Sequence, residues 1–210
     1  MGCSFVSMRT VREVSVFHLC SDDQTNRLTK ACVLALSDVL RNLVSAQQPL
    51  VIAGNRFFSA GADLKEIAGL DGPSAHDFAD MGQDLMGAIE RFPAPVYAAI
   101  SGYCMGGGLD LALACHYRIA SPHAVFGHRG AALGLTTGWG GTQRLPRLIG
   151  KARALEILVT AEKVTAHRAL QMGLVDAVVE NPVEESLQRI HETKRLAELP
   201  AFNVVDQTGR

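Results

Sequence analysis

Three things are lacking in this 210-residue sequence: net charge, paired cysteine motifs and long apolar runs. Lys and Arg number 20 against 21 Asp and Glu, a formal net charge of -1. That argues against a nucleic-acid binder, whose affinity comes from many clustered cations. It leaves room for a local basic patch facing one phosphorylated ligand. The five cysteines, Cys3, Cys20, Cys32, Cys104 and Cys115, are odd in number and scattered, with no CxxC pair. The pattern speaks against a disulfide framework and a zinc site, no metal is expected, and reduced thiols point to a cytoplasmic setting. No apolar run reaches membrane-spanning length. Arg9, Arg12 and Glu13 interrupt the N-terminal stretch before a signal-peptide core can form. Met1-Gly2-Cys3 looks like a lipidation start, but Val6 stands where a myristoylation motif needs Ser or Thr. What is present is a globular composition, 48% hydrophobic and 20% charged, in a chain long enough for one domain with a substantial core.

The organising stretch runs from Pro95 to Cys115. Val96 to Ile100 is a short apolar run of the kind that forms a strand covered on both faces. Gly106, Gly107 and Gly108 then permit positive φ and a close approach of ligand to backbone. Leu109 to Cys115 is almost wholly apolar, so a helix there is interior. Its exception is Asp110, in the first turn. The first amides of a helix lack intrahelical partners and, with the helix dipole, attract an anion or a developing oxyanion. A carboxylate beside such amides suits catalysis. It also suits a plain packing turn in which Asp110 merely complements the dipole.

The remaining segments alternate strands and helices. Val11, Val14, Val16 and Leu19 read as a first strand. Thr29 caps a helix over Lys30 to Ala46, and Leu50 to Ala53 is a buried strand. Phe58-Ser59-Ala60-Gly61-Ala62-Asp63-Leu64-Lys65 follows as a second glycine-containing turn that opens a helix. Gly69 to Pro73 is a break, a candidate lid hinge, before a helix reaching Arg91. Tyr117 to Ala120 and Ala124 to Phe126 read as strands, and Thr136 to Gly141 as a turn carrying the single tryptophan, Trp139. Helices are expected over Gln143 to Leu148 and Lys151 to Thr160, then after Thr165 and after Pro182 to about Leu199. A last strand is expected over Leu174 to Val179.

Together these pieces resemble the crotonase, or enoyl-CoA hydratase/isomerase, superfamily. The resemblance rests on Phe58 to Lys65, on Ile100-Ser101-Gly102-Tyr103-Cys104-Met105-Gly106-Gly107-Gly108, and on Gly140 to Gly150. Ala166, Ala169 and Gly173-Leu174-Val175 extend it, so that it covers about residues 11 to 180. It implies an α/β fold, a spiral of strand–strand–helix units with flanking helices, that binds acyl-CoA thioesters. It divides the chain into a core over 1–180 and a short C-terminal helical segment over 181–210, less than the family usually has. The backbone amides of Ala62 and Gly107 would polarise the thioester carbonyl and hold the enolate, with Asp110 as the acid–base carboxylate. Ala60, Asp63, Leu64 and Lys65 would contact CoA, the Ala60 carbonyl facing adenine and Lys65 the phosphates, with Arg56 a weaker candidate. CoA is substrate here, and no further cofactor is implied. The family's assembly is a trimer, often paired into hexamers, which the shortened C-terminus puts in question.

One departure bears on the reaction. Hydratases of this family hold a water between two carboxylates, and the second should stand four residues beyond Phe126. That residue is Gly130. The loss moves weight toward isomerisation or decarboxylation. Thioester hydrolysis on the same site, and acyl-CoA binding without catalysis, also fit a site that keeps only Asp110. A serine hydrolase on a related scaffold would need a nucleophile elbow, and no GxSxG is present. His128 precedes the gap. A neutral imidazole can serve as acid or base near neutral pH, although in the family's pattern this position need not face the pocket. Glu66 and Tyr103 are further substitutes.

Overall fold

The computed structural model describes residues 6–197. The chain opens with β1 (Val6–Val11), β2 (Val14–Leu19) and β3 (Arg27–Leu28), followed by α1 (Lys30–Val44). β4 (Leu50–Ala53), β5 (Phe57–Ser59) and β6 (Gly61–Ala62) lead into α2 (Leu64–Ala68) and α3 (Gly72–Glu90). Then come β7 (Val96–Ile100), β8 (Tyr103–Met105), α4 (Gly107–Ala114), β9 (Tyr117–Ala120) and β10 (Val125–Gly127). A 3₁₀ turn (Ala131–Leu133) precedes α5 (Gly141–Ile149) and α6 (Lys151–Thr160), and β11 (Val164–Thr165), α7 (Ala166–Gln171), β12 (Ala177–Val178) and α8 (Pro182–Ala197) complete the described chain.

The strands form a six-stranded sheet ordered β1-β2-β4-β7-β9-β12, a four-stranded sheet ordered β11-β10-β8-β5, and the pair β3-β6. The large sheet is parallel except for the β1–β2 hairpin. Consecutive strands split between sheets. β4 and β7 lie in the large sheet and β5 and β8 in the small one, each pair followed by a helix, which produces the strand–strand–helix spiral. The four-residue strand β4 shows why its sequence is apolar without alternation. Leu50 and Ile52 face the core beneath α1, α3 and α4, whereas Val51 and Ala53 face the second core, where Leu187 and Ile190 of α8 pack. A parallel strand covered on both faces has no polar side to display.

Helix α4 is interior along its whole length, with all eight residues buried. Each leucine that leaves water contributes about 2 kcal/mol, so Leu111→Ala would cost on the order of 3 kcal/mol.

Two expectations need correction. The first strand is a hairpin, with Arg12 and Glu13 in its turn at φ 47 and 66. The last strand spans only Ala177–Val178. The expected Thr29 cap forms, its hydroxyl accepting from the Cys32 amide. Asp63 accepts from the amides of Lys65 and Glu66 to cap α2, and Asp71, in the stretch read as a break, makes a capping box with Ser74 at α3. The expected end of the last helix at about Leu199 lies outside the described residues.

Candidate active site

The two glycine turns meet. Gly61 has φ +99, and a Cβ there would stand 2.7 Å from the Met105 carbonyl oxygen and 3.1 Å from the Gly107 nitrogen. A Cβ on Gly107 would stand 3.2 Å from the Ala62 nitrogen. The β6 turn and the start of α4 are therefore in backbone contact, and only glycine permits it. The Gly107 amide opens α4, where no intrahelical acceptor exists. The Leu109 and Asp110 amides are already taken by the Gly106 carbonyl, at 2.9 and 3.1 Å. Buried Ser59 fixes the other turn, its hydroxyl donating to the Asn26 carbonyl at 2.7 Å and accepting from the Gly61 amide at 3.1 Å.

Both turns line a cavity of about 580 Å³. Ala60, Ala62, Leu64, Gly107 and Asp110 line it together. Its far walls are apolar, with Ile67, Leu70 and Phe78 from α2, α3 and the link between them opposite Leu133 and Leu135. Trp139 closes one side. It is 2% exposed, its indole N–H donates to the Phe78 carbonyl at 3.1 Å, and its ring fills the space a Gly107 side chain would need.

Asp110 is 2% exposed. Its Oδ2 accepts from the Thr137 hydroxyl at 2.7 Å, and its Oδ1 is buried without a hydrogen-bond partner. A Cβ on Gly141 would come within 2.3 Å of Oδ1, so that glycine makes room for the carboxylate. Burial pushes the acid up from 3.8 to about 6, against the opposing pull of the Thr137 hydroxyl and the Arg144 guanidinium. The Trp139 main-chain amide adds a weaker favourable dipole without a formed bond to Oδ1. A carboxyl near 6 exchanges protons readily at neutral pH.

His128, left open as a site residue by the sequence, faces the cavity. Its Nε2 lies 4.0 Å from Asp110 Oδ2. Burial lowers its pKa and favours the neutral ring. Gly130 also lines the cavity, without room for a side chain. A Cβ there would stand 2.7 Å from the Leu135 carbonyl oxygen and 3.1 Å from His128 Nδ1.

The other candidates lie apart. Asp63 serves as the α2 cap and sits 3.5 Å from Arg27. Lys65 is exposed on α2, outside the cavity wall. Arg56 is exposed as well, and its carbonyl accepts from the Tyr103 amide at 3.4 Å. Glu66 accepts from the Lys30 amide at 2.8 Å, at the start of α1. Tyr103 stacks on Phe57 at 5.0 Å. Thr137 went unrecognised in the sequence, because nothing local marks a threonine 27 residues from its carboxylate as its partner.

The family model for enoyl-CoA hydratase/isomerase matches residues 10–204. A crotonyl-CoA hydratase of Syntrophomonas wolfei is 38% identical over 184 residues, covering 86% of this chain and 71% of the relative. A probable enoyl-CoA hydratase of Bacillus subtilis is 47% identical over 137 residues, covering 64% of this chain and 53% of the relative. Among solved structures, an enoyl-CoA hydratase from Bacillus anthracis superposes with a TM-score of 0.86 at 34% identity, covering 91% of this chain and 77% of that one. With converging turns, a buried carboxylate and matches of this extent, the chain belongs to the enoyl-CoA hydratase/isomerase family, the crotonase superfamily.

Proposed function

We propose that this chain binds an acyl-CoA thioester with the carbonyl oxygen between the amides of Ala62 and Gly107, and that Asp110 moves a proton at the acyl α-carbon. The observation that carries this reading is the backbone contact between the two turns, in which the Ala62 nitrogen lies 3.2 Å from the point a Gly107 Cβ would occupy, with Asp110 three residues further along α4. Two such donors stabilise the enolate more than the ground-state carbonyl, and each is worth about 3 kcal/mol in the transition state. Ile67, Leu70, Phe78, Leu133 and Leu135 in the lining suit an apolar acyl tail, and Arg129 is the one cation among the described lining residues. Ala60 and Leu64 border the CoA end, and Lys65 meets phosphates from outside the cavity. Copies of the chain, trimeric as in the family, would cover Leu155 and Val159 of α6, each 63% exposed.

The test follows deuterium uptake at C2 of butyryl-CoA in heavy water, beside turnover of crotonyl-CoA. The wild-type chain exchanges the α-proton, and Asp110→Asn lowers exchange by on the order of 10² or more. Unchanged exchange in that variant removes Asp110 from the reaction. Absence of exchange and turnover in the wild type removes the reading altogether.

A further inference from the structure

We infer that His128 is the second catalytic residue, taking the proton from the water that adds to C3 of an enoyl thioester. The inference rests on the reading above and adds which reaction the site performs.

Adding water across a conjugated double bond needs two proton movements, one away from the water and one onto C2. Among the described residues lining the cavity, the titratable side chains are Asp110, His128 and Arg129. A guanidinium cannot act as a base. Asp110 and His128 remain, and they are adjacent, with His128 Nε2 4.0 Å from Asp110 Oδ2. That is too long for a direct hydrogen bond. It matches one water bonded to both groups, since two bonds of about 2.8 Å meeting near a right angle span about 4 Å. The imidazole makes no hydrogen bond within the described protein, so its ring nitrogens are available to such a water. The carboxylate cannot swing away, because Thr137 holds Oδ2 at 2.7 Å.

Gly130 explains why the histidine stands there. A Cβ at 130 would stand 2.7 Å from the Leu135 carbonyl oxygen, which bars a side chain there, and 3.1 Å from His128 Nδ1, so the ring lies against the place a side chain at 130 would start from. The imidazole fills the space, so the missing side chain leaves no hole in the proton relay.

The step balances. The water oxygen bonds to C3 as its proton passes to His128 Nε2. The C2=C3 π pair moves toward C1, and the thioester oxygen takes up the charge between the two amides. The enolate collapses, and the Asp110 carboxyl gives its proton to C2. The imidazolium then returns its proton to the Asp110 carboxylate through the next water. One water is consumed, and both side chains recover their starting state.

The experiment compares two readouts on the same variants. Hydration of crotonyl-CoA needs both groups. Exchange of the butyryl-CoA α-proton in heavy water needs only Asp110 and the amides. For His128→Gln and His128→Asn, hydration is expected to fall 10²- to 10⁴-fold, while exchange stays within about fivefold of wild type and marks a folded, loaded site. Hydration that survives in either variant overturns the inference. So does a parallel fall of both readouts in both variants, because His128 would then be holding the site's shape and not moving a proton. A wild type that neither exchanges nor hydrates overturns the proposed function instead, a result distinguishable from both.

Discussion

The Thr137 hydroxyl donates to Asp110 Oδ2 at 2.7 Å, inside a cavity wall where Oδ1 of the same carboxylate has no partner. The carboxylate is thus half solvated by the protein. Its affinity for a proton is a contest between burial, which raises it, and the Thr137 hydroxyl, the Arg144 guanidinium and the Trp139 main-chain amide, which lower it. The charged or titratable neighbours on the packed elements are His128, Arg144 and the buried Cys104.

Thr137→Val removes the hydroxyl and keeps the shape. The hydrogen bond favours the ionised form, so its loss raises the pKa further. α-Proton exchange uses Asp110 as a base, and its rate climbs with pH through the carboxyl's pKa. The midpoint of that limb is expected near pH 6 in the wild type and about one pH unit higher in the variant. Rate profiles of butyryl-CoA exchange from acid to mildly alkaline pH measure it, and a midpoint that stays in place would show that the hydroxyl does not tune the acid.

Asp110 is also expected to reduce stability. Its folded pKa of about 6 lies above the ordinary 3.8. Between those values the folded chain holds a proton that the unfolded chain has lost, so stability falls as pH rises through that window, and the deficit is complete above 6. About two pH units correspond to about 3 kcal/mol. Asp110→Asn, neutral at every pH, should therefore melt on the order of 10 °C higher than wild type at about pH 8. At about pH 4 the gain should nearly vanish. Calorimetry at the two pH values decides, and equal melting points in the alkaline sample would mean that the buried carboxylate carries no penalty.

How much of this the sequence makes legible follows from distance along the chain. The α4 start and the β6 turn are local patterns, since glycines after a buried run mark both, and the family resemblance pairs Ala62 with Gly107. Strands β5, β6 and β8 are two or three residues long, too short to show a period. The hairpin turn at Arg12 and Glu13 is hidden because neither residue is Gly, Asn or Asp, the usual signal for positive φ. The Thr137–Asp110 bond and the approach of His128 to Asp110 join residues 27 and 18 positions apart, across a fold no local pattern describes. Gly130 is legible as a missing carboxylate. That its neighbour's ring occupies the space is not, because that is a matter of packing.

Lys65 tests the CoA end. It is exposed on α2, away from the reacting groups. An exposed charge pair is worth about 1 kcal/mol and is screened by salt. Lys65→Ala is expected to raise KM for crotonyl-CoA about fivefold with kcat unchanged, and the difference should shrink above about 0.5 M salt. Steady-state kinetics at two ionic strengths measures this. A fall in kcat instead would mean that Lys65 supports the α2 turn and not the ligand.

Gly107→Ala separates the geometry of the amide pair from the stability of the fold. The added methyl would meet two obstacles, Trp139 Cζ3 at 2.7 Å and the Ala62 nitrogen at 3.2 Å. The first is a side chain and can be removed by mutation. The second belongs to the opposite backbone turn and cannot. Crowding a packed site costs about 1–3 kcal/mol, so the single variant should melt several degrees below wild type. Trp139→Leu costs stability by itself, but because it clears the indole its cost should be smaller in the Gly107→Ala background than alone. Activity should follow a different rule. The methyl still presses on the Ala62 amide, the two donors no longer converge on one oxygen, and turnover stays down by on the order of 10² to 10³ in Gly107→Ala with or without Trp139→Leu. Melting curves and crotonyl-CoA turnover on both single variants and the double variant read the two effects apart. If turnover returned in the double variant, Trp139 packing would be what Gly107 protects, and the contact between the two turns would carry no catalytic weight.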